Sequence, residues 1–172
     1  MDQAEPKFGE LNPNAPAALS RFAFLIGKWR CAAKVRLANG EWQTFEASWL
    51  GRFILDGYAI ADEYRMTGST GELIVLGMNF RAYNAAQQIW NIQWINALTG
   101  IGNDLGSADL GGVKFEGPSV SYVFREPGAA PLYTRAIYTN ISKTHFTWRG
   151  ERSADRKTWN QFMVVEAYRS SE

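Results

Sequence analysis

The sequence contains very little cysteine or histidine, with one residue of each among 172. Cys31 has no second cysteine to pair with, which excludes an internal disulfide and is typical of a reducing compartment. A zinc site of three or four ligands has little to draw on. A Ser-His-Asp triad would have to use His145, and no Gly-x-Ser-x-Gly motif is present. These absences argue against zinc and serine-hydrolase chemistry.

Long apolar runs and an excess of charge of one sign are also lacking. No run approaches the about 20 apolar residues that a membrane-spanning helix needs. The opening segment, "MDQAEPKFGELNPNAP", lacks the basic and then apolar layout of a signal peptide. Lys and Arg number 18 and Asp and Glu 17, which gives no reason to expect a nucleic acid or an anionic membrane as partner. We therefore expect a cytoplasmic protein.

Aromatic residues, by contrast, are abundant, at 14% of the chain. This suits a β-protein with a wide interior or an adhesive face. The length fits one domain. We expect a flexible arm at residues 1–13 and a single domain at residues 14–172.

The spacing of apolar residues predicts the fold. It is helical from Asn14 to Ile26, with Asn14 as cap and Gly27 as stop. From Trp29 onward it alternates, and turn signals such as Asn39-Gly40 and Asp56-Gly57 divide the rest into strands. The predicted fold class is all-β: a single antiparallel up-and-down β-barrel of about ten strands, with a short N-terminal helix closing one end.

Three stretches carry a resemblance to a known fold family. They are "FLIGKW" near the start, "LDGYAIADEY" in the third strand and the late "RSADRKTW". A short helix followed by Gly27-x-Trp29 resembles the lipocalin and calycin signature, and the wider layout resembles a family of uncharacterised bacterial calycin-like barrels. The resemblance implies that Trp29 plugs the closed end beside an arginine of the last strand, here Arg169. Relatives in that superfamily carry hydrophobic metabolites, bind haem, or catalyse cyclisation and lyase reactions.

The inward face follows from the turns, if Asn39-Gly40 is a two-residue turn that pairs Leu37 with Trp42. Glu46 then lies inside with Trp29, and the Asp56-Gly57 turn adds Glu63 and Arg65 to the same face. The same register turns six apolar side chains outward: Phe45, Trp49, Phe53, Ile60, Tyr64 and Met66. Either a bulge near Gly51 switches the faces, or the outer face is a dimer interface.

The inward placement makes Glu46, Glu63 and Arg65 the candidate catalytic residues. A buried glutamate with a raised pKa would act as general base or acid, and an arginine would stabilise an oxyanion. Other strands add candidate ligand-binding residues: Arg81, Gln93, Arg135, Tyr138, Trp148 and Glu166. For Arg135 and Glu166 the alternative is an ordinary outward charge on a half-wet strand.

The remaining motifs favour structural roles. "GIGNDLG" opens no helix and lacks the Lys-Ser/Thr of a phosphate loop. Cys31 has the position of a buried, inert thiol. The stretch from Glu151 to Trp159 is typical of a β-hairpin tip, with a lid contact at the barrel mouth as the alternative. His145 is either a surface histidine or, by resemblance to haem-binding barrels, a haem ligand.

Three functions remain open at this point. The first is a barrel that binds a small, largely apolar or aromatic molecule with a carboxyl, carbonyl or phenol handle. The second is a cofactor-independent isomerase, lyase or cyclase that uses the same cavity. The third is an interaction protein that forms a homodimer through its apolar strand faces.

Overall fold

The computed structural model describes residues 8–103 and 111–171. These described residues form one 3₁₀ helix, Ala17–Leu25, and eleven strands. The strands are β1 (Gly27–Arg36), β2 (Trp42–Ile54), β3 (Ala59–Thr67), β4 (Leu73–Asn84), β5 (Ile89–Asn96), β6 (Ile101–Gly102), β7 (Lys114–Glu116), β8 (Ser119–Arg125), β9 (Tyr133–Thr139), β10 (His145–Ser153) and β11 (Asn160–Arg169).

All eleven strands form one antiparallel sheet, in the order β6-β5-β4-β3-β2-β1-β11-β10-β9-β8-β7. Consecutive strands pair with each other, except that β6 and β7 are not paired within the described residues. The first and last strands, β1 and β11, also pair. The sheet curls, so that Trp90 on β5 lies 6.3 Å from Phe115 on β7, centroid to centroid. The predicted all-β antiparallel barrel is confirmed, with eleven strands instead of about ten.

The N-terminal helix differs from the prediction in type and in its start. It is a 3₁₀ helix that begins at Ala17, with Pro16 at the cap position and no side-chain cap, so Asn14 does not cap it. Its inner residues Leu19, Phe22 and Leu25 are fully buried. The Phe22 ring lies edge-on against Trp90 at 4.8 Å, so the helix fills one end of the curled sheet.

The contact between Trp29 and Arg169 has the form that the resemblance implied. The guanidinium carbon of Arg169 lies 4.2 Å from the centre of the Trp29 ring, and the indole donates to the carbonyl of Leu25 at 3.1 Å. Gly27 has a φ of +118°, and a Cβ there would lie 2.3 Å from Nη1 of Arg169. Glycine is favoured at this position because L side chains rarely adopt this backbone conformation, and a side chain would also displace the end of Arg169.

The turn at Asn39-Gly40 is longer than predicted. Leu37 donates its amide to the carbonyl of Glu41 at 2.8 Å, and Gly40 donates to Leu37 at 2.9 Å. The loop between these partners therefore has three residues, with Gly40 at φ +87°, as in a hairpin with a glycine bulge. Arg36, not Leu37, pairs with Trp42.

This one extra residue reverses the predicted face of β2 and β3. The Asp56-Gly57 hairpin has the predicted register, since Leu50 pairs with Glu63. The reversed face of β2 therefore continues into β3. The six apolar residues predicted to face outward turn inward: Phe45 is half-buried, and Trp49, Phe53, Ile60, Tyr64 and Met66 are buried. The apolar outer face that had suggested a dimer interface is therefore absent from these two strands.

The described end of the N-terminal arm is attached to the second hairpin. Asn12 is buried, and its side-chain amide donates to the carbonyl of Asp56 at 2.9 Å. A Cβ on Gly57 would lie 2.3 Å from the Asn12 nitrogen. Residues 1–7 of the predicted arm and residues 104–106 of "GIGNDLG" lie outside the described residues. Among the residues described, no helix has the length and apolar character needed to cross a membrane.

Candidate functional site

A fully buried ion pair lies inside the barrel, between β3 and β4. Asp62 and Arg81 both have side chains with no exposed surface. Arg81 donates Nε to Oδ1 of Asp62 at 2.6 Å and Nη2 to Oδ2 at 3.1 Å. Trp49 and Asn79 donate to the same Oδ2 at 3.0 and 2.9 Å. Asp62 therefore accepts four hydrogen bonds, which compensate for the loss of water around its charge.

Two tyrosines continue this network from the opposite side of the barrel. Arg81 donates Nη1 to the hydroxyl of Tyr122 at 3.2 Å and Nη2 to the hydroxyl of Tyr138 at 2.9 Å. Burial is the largest single effect and disfavours the charged guanidinium, but Asp62 together with Tyr122 and Tyr138 outweighs it and holds the pKa of Arg81 well above its ordinary value. Burial raises the pKa of Tyr138 well above its ordinary value, although Arg81 opposes the shift. Tyr138 is thus a neutral phenol that can still donate its proton.

A cavity of about 340 Å³ lies above this network. Its floor includes Trp49, Asn79, Tyr122 and Tyr138, which all contact Asp62 or Arg81. Apolar and aromatic side chains form its walls: Tyr64, Val75, Trp94, Phe124, Ala136, Trp148 and Val165. Its rim includes the exposed lining residues Thr99, Ile101, Pro127 and Arg152, with Glu126 beside them, and the other lining residues are Asn96, Gly102, Thr134, Phe162 and Met163. An apolar cavity with a few convergent polar groups is the usual form of a small-molecule site.

Two glycines make room for two of the wall tryptophans. A Cβ on Gly77 would lie 2.3 Å from the Trp94 ring, and a Cβ on Gly150 would lie 2.5 Å from the Trp148 ring. Glycine inside a strand commonly marks such a close approach. These glycines thus leave room for the edges of the two indole rings.

One wall hydroxyl has no hydrogen-bond partner. Tyr64 is 5% exposed, and its hydroxyl oxygen is buried without a partner among the described residues. Burial is the main reason that its pKa lies well above the ordinary value, with a smaller contribution from Cys31. A buried polar atom without a partner is uncommon and calls for an explanation. A ligand atom in the adjoining cavity would supply one.

The structure places the three predicted catalytic residues away from the cavity. Glu46 and Arg65 are exposed on the outer face, and Glu63 is half-buried there. Their inward placement was wrong because the first turn has three residues instead of two. Their catalytic role remains a prediction, without the buried setting on which it was based.

The six predicted ligand-binding residues divide into two equal groups. Arg81 and Tyr138 are joined beneath the cavity, and Trp148 lines it. Gln93, Arg135 and Glu166 alternate with inner residues and are half-buried on the outer face. Arg135 pairs with Glu151, donating its Nε at 2.8 Å, and Glu166 accepts from Thr147. Arg135 and Glu166 therefore have the outward position that the sequence analysis gave as their alternative.

Sequence reasoning did not single out Asp62, Asn79, Tyr122 or Trp94 as functional residues. The available signal was the alternation in "YAIADEY", which places Ile60, Asp62 and Tyr64 on one face. With the loop of three residues at the first turn, that face is the inner one.

The remaining candidates have local partners. His145 lies on the outer strand face, where its Nε2 is 2.8 Å from Glu166 and its ring lies 4.8 Å from Tyr168, so it does not line the cavity. Cys31 is buried, and burial raises its pKa to about 12, as expected for an inert thiol. Among the residues described, no group of three or more His, Cys, Asp or Glu could hold a metal ion.

The late hairpin tip has the predicted turn bonds. Ser153 donates its hydroxyl to Asp155 at 2.9 Å, and Asp155 accepts from the amides of Lys157 and Thr158 at 2.8 Å each. These amide bonds, followed by the Ser153 bond, lower the pKa of Asp155 to about 2. Trp159 packs under the guanidinium of Arg135 at 4.4 Å, and it is not among the lining residues of the cavity.

The fold and this interior define the class of protein: an antiparallel β-barrel with an aromatic cavity. Among solved structures, the crystal structure of Rv2717c from M. tuberculosis is similar, with a TM-score of 0.65 and 9% identity over 92% of this chain and 100% of that one. This likeness supports the fold alone.

Two further barrels are similar at a lower level. The structure of EF1p2_mFAP2b bound to DFHBI has a TM-score of 0.44 and 15% identity over 88% of this chain and 99% of that one. The redesigned β-barrel mFAP1 bound to DFHBI has a TM-score of 0.43 and 15% identity over 86% and 96%. These likenesses are too distant to support an inference about function. No protein-family model matches the sequence, and no curated protein is significantly similar to it.

Proposed function

We propose that this protein binds a small, largely aromatic molecule inside its barrel. The observation that carries this proposal is the cavity of about 340 Å³, which has aromatic walls and a polar floor. A core packed only for stability fills such a space, because empty apolar volume reduces stability. The volume lies within the range of about 300–1,000 Å³ that is usual for small-molecule sites.

The polar groups of the cavity suit recognition of one end of a ligand. The hydroxyls of Tyr122 and Tyr138 accept from Arg81 and are also joined by a hydrogen bond to each other, so the pair retains one proton for a further acceptor. The Tyr64 hydroxyl has no partner among the described residues. A ligand that offers polar atoms to these hydroxyls would satisfy them while its aromatic body contacts Trp94 and Trp148.

The cavity can be tested with 6-propionyl-2-(dimethylamino)naphthalene, a neutral fluorescent ketone whose emission moves to shorter wavelength away from water. Binding inside the barrel predicts this shift, together with quenching of tryptophan emission, because Trp49, Trp94 and Trp148 line the space.

A matched pair of variants distinguishes the interior from the surface. Ala136 is 2% exposed and lines the cavity, so Ala136→Phe should fill the space and abolish the shift. Ala32 is exposed on the outer face of β1, so Ala32→Phe should leave it unchanged. The proposal fails if the wild-type protein binds neither this ketone nor any member of a broad aromatic library. It also fails if Ala136→Phe binds as well as Ala32→Phe.

A further inference from the structure

We propose that the cavity selects a ligand with a neutral hydrogen-bond acceptor, such as an aromatic ketone, and excludes the matching carboxylate. The acceptor lies against the hydroxyls of Tyr122 and Tyr138. This inference rests on the proposed function, since it specifies which end of an aromatic ligand enters first.

The charge of Arg81 is not available to an anionic ligand. Its Nε and Nη2 are bonded to Asp62, and Nη1 and Nη2 to the two tyrosine hydroxyls. Asp62 and Arg81 together have no net charge, and neither side chain is among the lining residues of the cavity. A carboxylate on the floor would therefore lose its water without gaining a free cation, which is strongly unfavourable in a buried site.

The tyrosine hydroxyls are suited to a neutral acceptor instead. Each accepts a hydrogen bond from a charged guanidinium, which polarises its O–H and strengthens the bond that it donates. The tyrosines come from β8 and β9, whereas Asp62 and Arg81 come from β3 and β4. The two hydroxyls also share a hydrogen bond, and the proton that remains matches a lone pair of a carbonyl oxygen.

The charges of the lining residues lie at the rim. Among the lining residues in the described part of the chain, Glu126 and Arg152 are the charged ones. Nε of Arg152 lies 4.0 Å from Glu126, which also accepts from Thr134 at 2.5 Å. The arginine at the rim thus has a carboxylate partner of its own.

The decisive experiment compares two probes with the same aromatic frame in the full-length protein. They are 6-propionyl-2-(dimethylamino)naphthalene and 6-(dimethylamino)-2-naphthoate, titrated at pH 7.5, where the second is ionised. The ketone should bind tighter by on the order of 100-fold. If the carboxylate binds equally well or better, this inference is overturned and the proposed function remains. If neither these probes nor a broad library binds, the proposed function itself fails.

Asp62→Asn provides a second, stricter test. The variant keeps the shape of the side chain but leaves Arg81 without a counter-charge. Affinity for the carboxylate should then rise by about tenfold or more, and the carboxylate should raise the melting temperature of the variant more than that of the wild type. An unchanged preference for the ketone in a folded Asp62→Asn protein would contradict the inference.

Tyrosine variants test the donors without changing any charge. Tyr138→Phe combined with Tyr122→Phe should weaken ketone binding by about tenfold or more, because no donor remains. Tyr58 is exposed beside the second turn, so Tyr58→Phe is the matched control and should bind normally. Full ketone affinity in a folded double variant would overturn the inference, even if Asp62→Asn does not fold.

Discussion

Two arginine–carboxylate pairs, on opposite faces of the same sheet, have the same chemistry in different surroundings. Asp62 and Arg81 join β3 to β4 on the inner face, where both side chains are fully buried. Arg135 and Glu151 join β9 to β10 on the outer face, where the side chains are 34% and 13% exposed. The inner pair supports the floor of the cavity, whereas the outer pair packs against Trp159. Strand phase, and not residue type, therefore decides which mid-strand arginine can belong to a binding site.

The inner pair should contribute most to the integrity of the barrel. Replacing Asp62 with Ala leaves Arg81 buried without a counter-charge, and Trp49 and Asn79 lose their common acceptor. Unfolding free energy should fall by about 3–5 kcal/mol, measured by urea denaturation. A loss as small as that of a surface pair would remove the distinction between the two faces.

The second largest effect on stability should come from alkaline pH, through the buried thiol of Cys31 on the inner face. The thiol of Cys31 ionises from about pH 9 in the unfolded chain. In the folded protein its raised pKa keeps the same thiol neutral until about pH 12. The contribution of this thiol to the unfolding free energy is therefore fully present below pH 9. It is lost as the pH rises above 9, by about 1.4 kcal/mol per pH unit. Chemical denaturation at pH 8.0–10.5 measures the slope. Cys31→Ala should reduce it between pH 9 and 10, and an identical slope would show that the thiol is not buried in this way.

The outer pair should matter much less. Glu151→Gln removes the charge opposite Arg135 in a region that water reaches, so stability should change by about 1 kcal/mol or less. Ketone binding should be unchanged, because neither residue lines the cavity. Urea denaturation and a probe titration, run beside Asp62→Asn, check both points. A large loss of binding would connect the outer face to the site.

The smallest effect is expected from the outer residues that the sequence had suggested as catalytic. Glu63 and Arg65 lie away from the cavity. Glu63→Gln and Arg65→Ala should therefore each change stability by about 0.5 kcal/mol or less and leave ketone binding intact. Probe titration of both variants, beside the double variant of Tyr122→Phe and Tyr138→Phe that is expected to lose affinity, makes the comparison. Weakened binding would restore these residues as candidates for the site.

Much of the fold was predictable because alternation and turn residues are local signals. The strand pattern and the hairpin register at Asp56-Gly57 appear as expected. The contact of Trp29 with Arg169 also appears, but it was implied by the family resemblance and not by a local signal. The helix type was not predictable in this way, because apolar spacing over nine residues does not distinguish a 3₁₀ from an α-helix.

The candidate site was only partly predictable, because a single loop length controlled it. Asn39-Gly40 is compatible with loops of two or three residues, and the sequence does not say which one forms. The wrong loop length placed Glu63 and Arg65 on the inner face instead of Asp62 and Tyr64. Arg81 and Tyr138 were found because their strands were judged independently, but their connection through Asp62 depends on packing between distant strands.

The most direct test of the central claim is a crystal structure of the protein with 6-propionyl-2-(dimethylamino)naphthalene. We expect the naphthalene between Trp94 and Trp148, with its carbonyl oxygen about 3 Å from the hydroxyl of Tyr122 or Tyr138. A dye bound outside the barrel, or a cavity closed by its own side chains, would contradict the account.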